Sequence, residues 1–255
     1  MADMAHMFKT VGKAIAAAGV WTGGKIAEGY NAIDPDVRRH IAQVPLLSYS
    51  LFVSRKEKID PGVDDGHPPL IFVHGLGGNR GNFLLMAGYF RFMGRRRSYK
   101  IHFDPGQSMD DMATALASFV RQVKKATGQS QVEIVAHSLG GVVARLAVNE
   151  HRIAPSVKTL ITLGSPHHGT YAARYANTDT TRNLRPDSDM IARLNTKPLP
   201  KHIRGISFFS SNDVFILPAD SAVAEGTEAI DMTPFTHYSY LFSPTSWQRV
   251  WAALV

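Results

Sequence analysis

Ser138 is the residue of this chain best placed to act as a nucleophile. It stands in the run VEIVAHSLGG, from Val132 to Gly141: a β-branched stretch that stops at the serine and passes into an apolar-periodic one through Val142, Val143, Leu146 and Ala147. Ala136 and Gly140 flank Ser138 at minus two and plus two. This is the spacing G-x-S-x-G with alanine in the first glycine position, and it carries weight because a strand precedes it and a helix follows. Such a turn is so tight that bulk at minus two or plus two collides. It lifts the serine hydroxyl above the sheet and points the next backbone N–H at the same place.

A serine hydroxyl is a weak nucleophile at neutral pH. It needs a base to take its proton and a third group to orient that base. After such an elbow the acid comes next in chain order and the histidine last. Asp213 closes the run ISFFSSND, a strand entering a polar turn, with Asp220 and Asp231 as competitors. His237, in PFTHYS before the final helix, is the only histidine after Asp213. His137 adjoins the serine and is expected to point away from the elbow face; His167 and His168 precede Asp213, the wrong order for the base.

Charge developing on an attacked carbonyl needs N–H donors aimed at it. Leu139 supplies one directly after the nucleophile. The loop FVHGLGG (Phe72 to Gly78) supplies the second, from the Leu76 N–H, with His74 tying that loop down. A glycine-rich loop after a strand can instead cradle phosphate, but this one lacks the Walker lysine and the G-x-G-x-x-G spacing.

The elements that must hold these residues alternate. Strands are expected at 70–74, 99–104, 132–136, 157–163 and 203–209, with helices at 83–92, after Ser138 and at 247–255. Another helix is capped by Ser108, is periodic through Met109, Met112, Leu116, Phe119, Val120 and Val123, and ends at Lys124, Lys125 and Gly128. A stretch at 46–59 reads as extended. This order predicts an α/β fold, a mostly parallel sheet with helices on both faces, which binds ligands at the carboxyl ends of its strands. Residues 167–202 break the rhythm. They are polar, rich in Arg and Asn, and carry one short periodic segment at 188–194, which predicts a lid or cap between two strands that flank the site.

The 255 residues suit one domain with a full core, and 44% apolar with 19% charged residues is ordinary for a globular protein. There is no cysteine, hence no disulfide, thiolate metal site or cysteine nucleophile. The net charge of +7 is scattered, the only dense run being Arg95-Arg96-Arg97, and no nucleic-acid motif accompanies it. No stretch has the apolar length of a membrane span. Met4, Phe8, Val11, Ile15 and Ala18 share a helical face, a surface that packs on its own domain or lies on a membrane. The short apolar run 14–20 makes a poor secretory signal. Residues 1–67 form a helical and extended segment leading into a domain at 68–255. A cytoplasmic or peripherally membrane-associated protein is expected, with secretion left open.

The HGLGG loop, the AHSLGG elbow, the segment LGSPHHGT from Leu163 to Thr170, the strand-end Asp213 and the late His237 together resemble a bacterial lipase or esterase of the α/β-hydrolase superfamily. The similarity covers roughly residues 68–255 and extends to lipases related to GPI inositol deacylases. It implies an α/β-hydrolase fold, with Pro166 and Gly169 shaping the floor of the site. It also implies serine-dependent hydrolysis of carboxylic esters through an acyl-enzyme, with Ser138, Asp213 and His237 catalytic, Leu76 and Leu139 as oxyanion donors, and no redox or nucleotide cofactor. Some lipases carry structural calcium or zinc; the sequence shows no ligand cluster, so no metal is expected. The partner is a small acyl ester or lipid, with contact at a lipid interface, and not nucleic acid. The apolar residues Phe83, Leu84, Val214, Phe215, Ile216 and Leu217 suit an acyl chain. Phospholipase, thioesterase or acyltransferase chemistry on the same three residues is the alternative, and a non-catalytic lipid-binding protein the distant one.

Overall fold

The computed structural model describes residues 58–255 together with Arg38, Gln43, Pro45, Leu46 and Leu47. The expected N-terminal helix and most of 46–59 lie outside the described residues. Leu46 and Leu47 themselves are helical rather than extended.

Among the described residues six strands form one sheet: β1 (Leu70–Val73), β2 (Ser98–Lys100), β3 (Val132–His137), β4 (Val157–Leu163), β5 (Arg204–Phe209) and β6 (Glu228–Asp231), in the order β2-β1-β3-β4-β5-β6. Every pairing is parallel. The longer helices are α1 (Leu84–Phe92), α2 (Met109–Thr127), α3 (Leu139–Glu150) and the closing helix α7 (Pro244–Leu254). Three short ones, α4 (Asp179–Asn183), α5 (Asp189–Leu194) and α6 (Ser239–Phe242), lie between them.

The sheet is covered on both faces, so its central strands are buried along their whole length, as β1 and β3 are. The period of two sorts their side chains. Ile71, Ile134 and Ala136 pack with Met112, Leu116 and Val120 of α2 and with Val143 and Leu146 of α3. Phe72, Val135, Ile161 and Phe208 pack on the other side with Met86 and Phe90 of α1 and with Leu241 and Val250. One charge interrupts β3: Glu133, 1% exposed, meets the equally buried Arg95 at 2.6 Å. Helix α2 has the ends its sequence predicts. The Ser108 hydroxyl accepts the Asp111 N–H, and Gly128 closes the helix in the left-handed region at φ 70°.

Where elements depart from expectation, local chemistry explains it. The expected strand 99–104 ends at Lys100 because the Phe103 N–H turns to the ring of His74, and Pro105 and Gly106 follow in a turn. The closing helix starts at Pro244 rather than at residue 247, proline being at ease in a first turn. Strand β6 reads as nothing in sequence, since Glu228-Ala229-Ile230-Asp231 has one large apolar residue and lies at the sheet edge.

Candidate active site

The elbow forms at the carboxyl end of β3. Ser138 has φ 54° and ψ −128°, a conformation non-glycine residues rarely hold. It is maintained by hydrogen bonds on both sides, from the Ser138 N–H to the Leu163 carbonyl at 3.0 Å and from the Gly141 N–H to the Ser138 carbonyl at 3.0 Å. The requirement for glycine at plus two is direct. A Cβ on Gly140 would lie 2.6 Å from the carbonyl oxygens of both Val73 and His74. Leu139 opens α3, so its N–H has no preceding helical turn to donate to.

The glycine-rich loop after β1 lies against the nucleophile: a Cβ on Gly75 would stand 2.8 Å from Ser138 Cβ. His74 holds this loop from below. Its Nδ1 donates to the Gly75 carbonyl at 2.9 Å, and its Nε2 accepts the Phe103 N–H at 3.2 Å. The accepting Nε2 requires a neutral ring, and burial lowers its pKa to about 4. Asn82 braces the far end of the loop by accepting the Asn79 N–H at 2.7 Å.

Asp213 follows β5 and is 1% exposed. Its Oδ1 accepts the Phe215 N–H at 3.0 Å, and His237 Nδ1 donates to Oδ2 at 2.8 Å. The other acids named from sequence lie elsewhere: Asp220 is exposed in a short turn, and Asp231, exposed at the end of β6, holds Thr233. The histidine loop is pinned at several points. Ser210 Oγ donates to the Phe235 carbonyl at 2.7 Å, and His137 Nε2 donates to the His237 carbonyl at 2.9 Å. His137 therefore does not point away from the site. Its ring packs 4.6 Å from that of His237, and burial holds its pKa well below the usual histidine value, as a neutral ring. Sequence reasoning missed this residue because strand alternation says nothing about the last position before a turn.

Ser138, His237 and Leu76 open into one cavity of about 530 Å³. Its wall is largely apolar, including Pro166, Ala173, Leu184, Phe215, Ile216 and Leu241. Of the six residues named for an acyl chain, Phe215 and Ile216 line it and four do not. Phe83 closes a 3₁₀ turn that turns its ring inward, stacked on Phe72 at 4.8 Å, and presents Asn82 to the cavity instead. Leu84 begins α1 on the solvent side, 42% exposed. Val214 and Leu217 flank the lining pair. The sequence did not single out Leu47, which also lines the cavity.

The segment 167–202 covers one side of this cavity through Thr170, Ala172, Ala173, Ala176, Thr181 and Leu184. Its near end is tied to the acid loop: Thr170 Oγ1 donates to the Phe215 carbonyl and accepts the Leu217 N–H, each at 2.9 Å. Its far end is tied to the helix behind the nucleophile. Arg145 of α3, buried and lowered by that burial to about 10, donates to Asn195 Oδ1 at 3.2 Å and to the Leu194 carbonyl at 3.4 Å. Among the described residues no group of three or more His, Asp or Glu is placed to hold a metal, and no helix is long and apolar enough to cross a membrane.

Known proteins resemble this chain in sequence and fold. The family model of palmitoyl protein thioesterase matches residues 69–220. Triacylglycerol lipases of Pseudarthrobacter phenanthrenivorans and Burkholderia plantarii are each 28% identical over 116 residues, covering 42% of this chain and 35% and 32% of theirs. The match thus spans about a third of the length of those curated relatives. Among solved structures, the mature lipase BlEst2 of Bacillus licheniformis superimposes with a TM-score of 0.66 at 21% identity, over 75% of this chain and 94% of that one. Aspergillus fumigatus lipase B does so with 0.64 at 17%, over 72% and 51%. The shared feature is the α/β-hydrolase fold.

Proposed function

Because the chain belongs to the palmitoyl protein thioesterase family, we propose that it is a serine hydrolase of carboxylic esters with apolar acyl groups, working through an acyl-enzyme. The observation that carries this reading is the convergence on one apolar cavity of a strained serine and a histidine whose Nδ1 is held by a buried carboxylate.

In this reading Ser138 Oγ attacks the ester carbonyl while His237 Nε2 takes its proton. Asp213 keeps the other ring nitrogen protonated and stabilises the imidazolium that forms. The Leu139 and Leu76 N–H groups receive the oxyanion. When the carbon–oxygen bond breaks, the proton passes from His237 to the leaving alcohol. Water then repeats the sequence: His237 takes its proton, the hydroxide oxygen bonds to the acyl carbon, and as the ester bond to Ser138 breaks the proton passes from His237 to Ser138 Oγ, releasing the acid. The segment 167–202 serves as the lid of the acyl site. The triacylglycerol lipases that match part of the chain favour the lipid-ester substrate.

The family match favours a second reading, an acyl thioester as substrate of the same residues. Both readings are tested together by steady-state hydrolysis of matched oxygen esters and thioesters of one acyl length, with wild type and Ser138→Ala. The expected result is loss of at least about a thousandfold in kcat on substitution, with unchanged circular dichroism. Wild-type turnover by Ser138→Ala would sink the serine mechanism. A strong preference for the thioester would replace the first reading by the second.

A further inference from the structure

The hydrogen bonds around the histidine loop close through a residue far upstream. Thr236, adjacent to His237, is completely buried, so its hydroxyl must find a partner or stay an orphan at a cost in stability. Its N–H donates to Ser239 Oγ at 3.1 Å, and the two hydroxyls lie 2.9 Å apart. The third corner is Gln43. Its Nε2 donates to Ser239 Oγ at 2.7 Å, and its Oε1 accepts the Thr236 hydroxyl at 2.9 Å. With the Ser239 hydroxyl donating to Thr236, amide and hydroxyls form a closed ring in which each group donates to the next. Such rings strengthen their own members and rigidify what they hold.

The loop held in this way carries His237. Its neighbour Phe235 is fixed by Ser210 and its own carbonyl by His137, which leaves residues 236–239 as the side that Gln43 secures. Four residues beyond Gln43, Leu47 lines the cavity itself. Both lie upstream of residue 69, where the family match begins. We infer that Gln43 is a positioning residue for His237, and that Gln43 and Leu47 complete the active site, the first holding the base loop and the second walling the acyl cavity. This rests on the reading of His237 as the general base.

The test compares the full chain with Gln43→Leu, Gln43→Glu, Thr236→Val and the double variant Gln43→Leu/Thr236→Val in hydrolysis of p-nitrophenyl butyrate, with kcat and KM separated. Gln43→Leu is expected to lower kcat about tenfold with KM changed less than twofold, since a small misplacement of a catalytic group is felt in the chemical step. Gln43→Glu keeps the contact that accepts the Thr236 hydroxyl and replaces the donated one by accepting from Ser239 once that hydroxyl turns, and is expected to restore at least half of the lost kcat. It also serves should Gln43→Leu not fold. The double variant should be no worse than the poorer single one, because both changes break one ring. Wild-type kcat in Gln43→Leu, equal losses in Gln43→Leu and Gln43→Glu, or additive losses in the double variant would each overturn the proposal. His237→Ala separates the two levels. If it is inactive while Gln43→Leu keeps wild-type kcat, the clamp fails and the base stands; if it keeps wild-type activity, the base reading itself fails.

Discussion

Gly164 faces Asp213 so closely that a Cβ there would lie 2.7 Å from the carboxylate Oδ2 and equally close to Tyr240 Cε2. The backbone at Gly164 is also left-handed, at φ 53°, and its N–H donates to the Phe208 carbonyl at the end of β5. This one position lets β4 hand the chain past the acid without pushing it from the histidine. Gly164→Ala should therefore cost about 1–3 kcal/mol of stability. It should also lower kcat by more than about tenfold through Asp213. Urea unfolding and p-nitrophenyl butyrate turnover measure the two effects; a variant with wild-type values of both would refute the steric argument.

Acid should weaken this fold through its buried histidines. An unfolded histidine titrates near 6.5, whereas His74 in the fold is lowered to about 4 by burial. Between those values the unfolded chain binds the additional proton. The contribution of His74 is thus complete above pH 6.5 and is lost as the pH falls toward 4, spanning at most about 3 kcal/mol. His137 and His167, lowered well below the usual value by burial, act in the same direction. In His74→Asn the slope of unfolding free energy between pH 6.5 and 4 should be shallower by about one proton; parallel slopes in denaturant titrations would contradict the assignment.

The cavity proposed to hold the acyl chain can be shortened from its cover. Ala172 belongs to the covering segment and lines the cavity, half-buried. Ala172→Phe adds a ring where an acyl chain would extend. The ratio of kcat/KM for a decanoyl ester to that for an acetyl ester is expected to fall at least about tenfold, the scale of losing one or two methylene contacts. An unchanged ratio would mean that acyl chains leave the cavity by another wall.

The pair Arg95–Glu133 gives a prediction about stability alone. Glu133 meets Arg95 at 2.6 Å and also accepts the Thr159 hydroxyl, all out of solvent. Glu133→Leu would strand a buried guanidinium and should cost about 3–5 kcal/mol. Loss of both charges in Arg95→Met/Glu133→Leu should cost less than the single change. Thermal unfolding of the two variants distinguishes them, and a double variant less stable than the single one would refute the desolvation argument.

Much of the architecture was legible because apolar periodicity and capping are local. Ser108 and Gly128 mark the ends of α2, and the turn after β3 is written in Ala136, Ser138 and Gly140. The joining of Asp213 to His237 was legible only as chain order, since nothing local says that two loops meet. What could not be read depends on partners distant in the chain. Glu228 to Asp231 becomes a strand only because β5 offers an edge. Phe83 goes inward because Phe72 waits there. Gln43 gains a role only when Thr236 and Ser239 come beside it.

Strand β6 is an edge strand of the sheet, paired on one side only among the described residues, and the chain leaves it directly for the loop of His237. Ser138, by contrast, follows a strand hemmed in by neighbours on both sides. The two halves of the proposed chemistry therefore rest on ground of unequal firmness. Edges fray at lower free energy than interiors. Mild heating should first leave a molecule whose elbow is intact and whose base is adrift, so that inactivation precedes the cooperative melt and reverses on cooling.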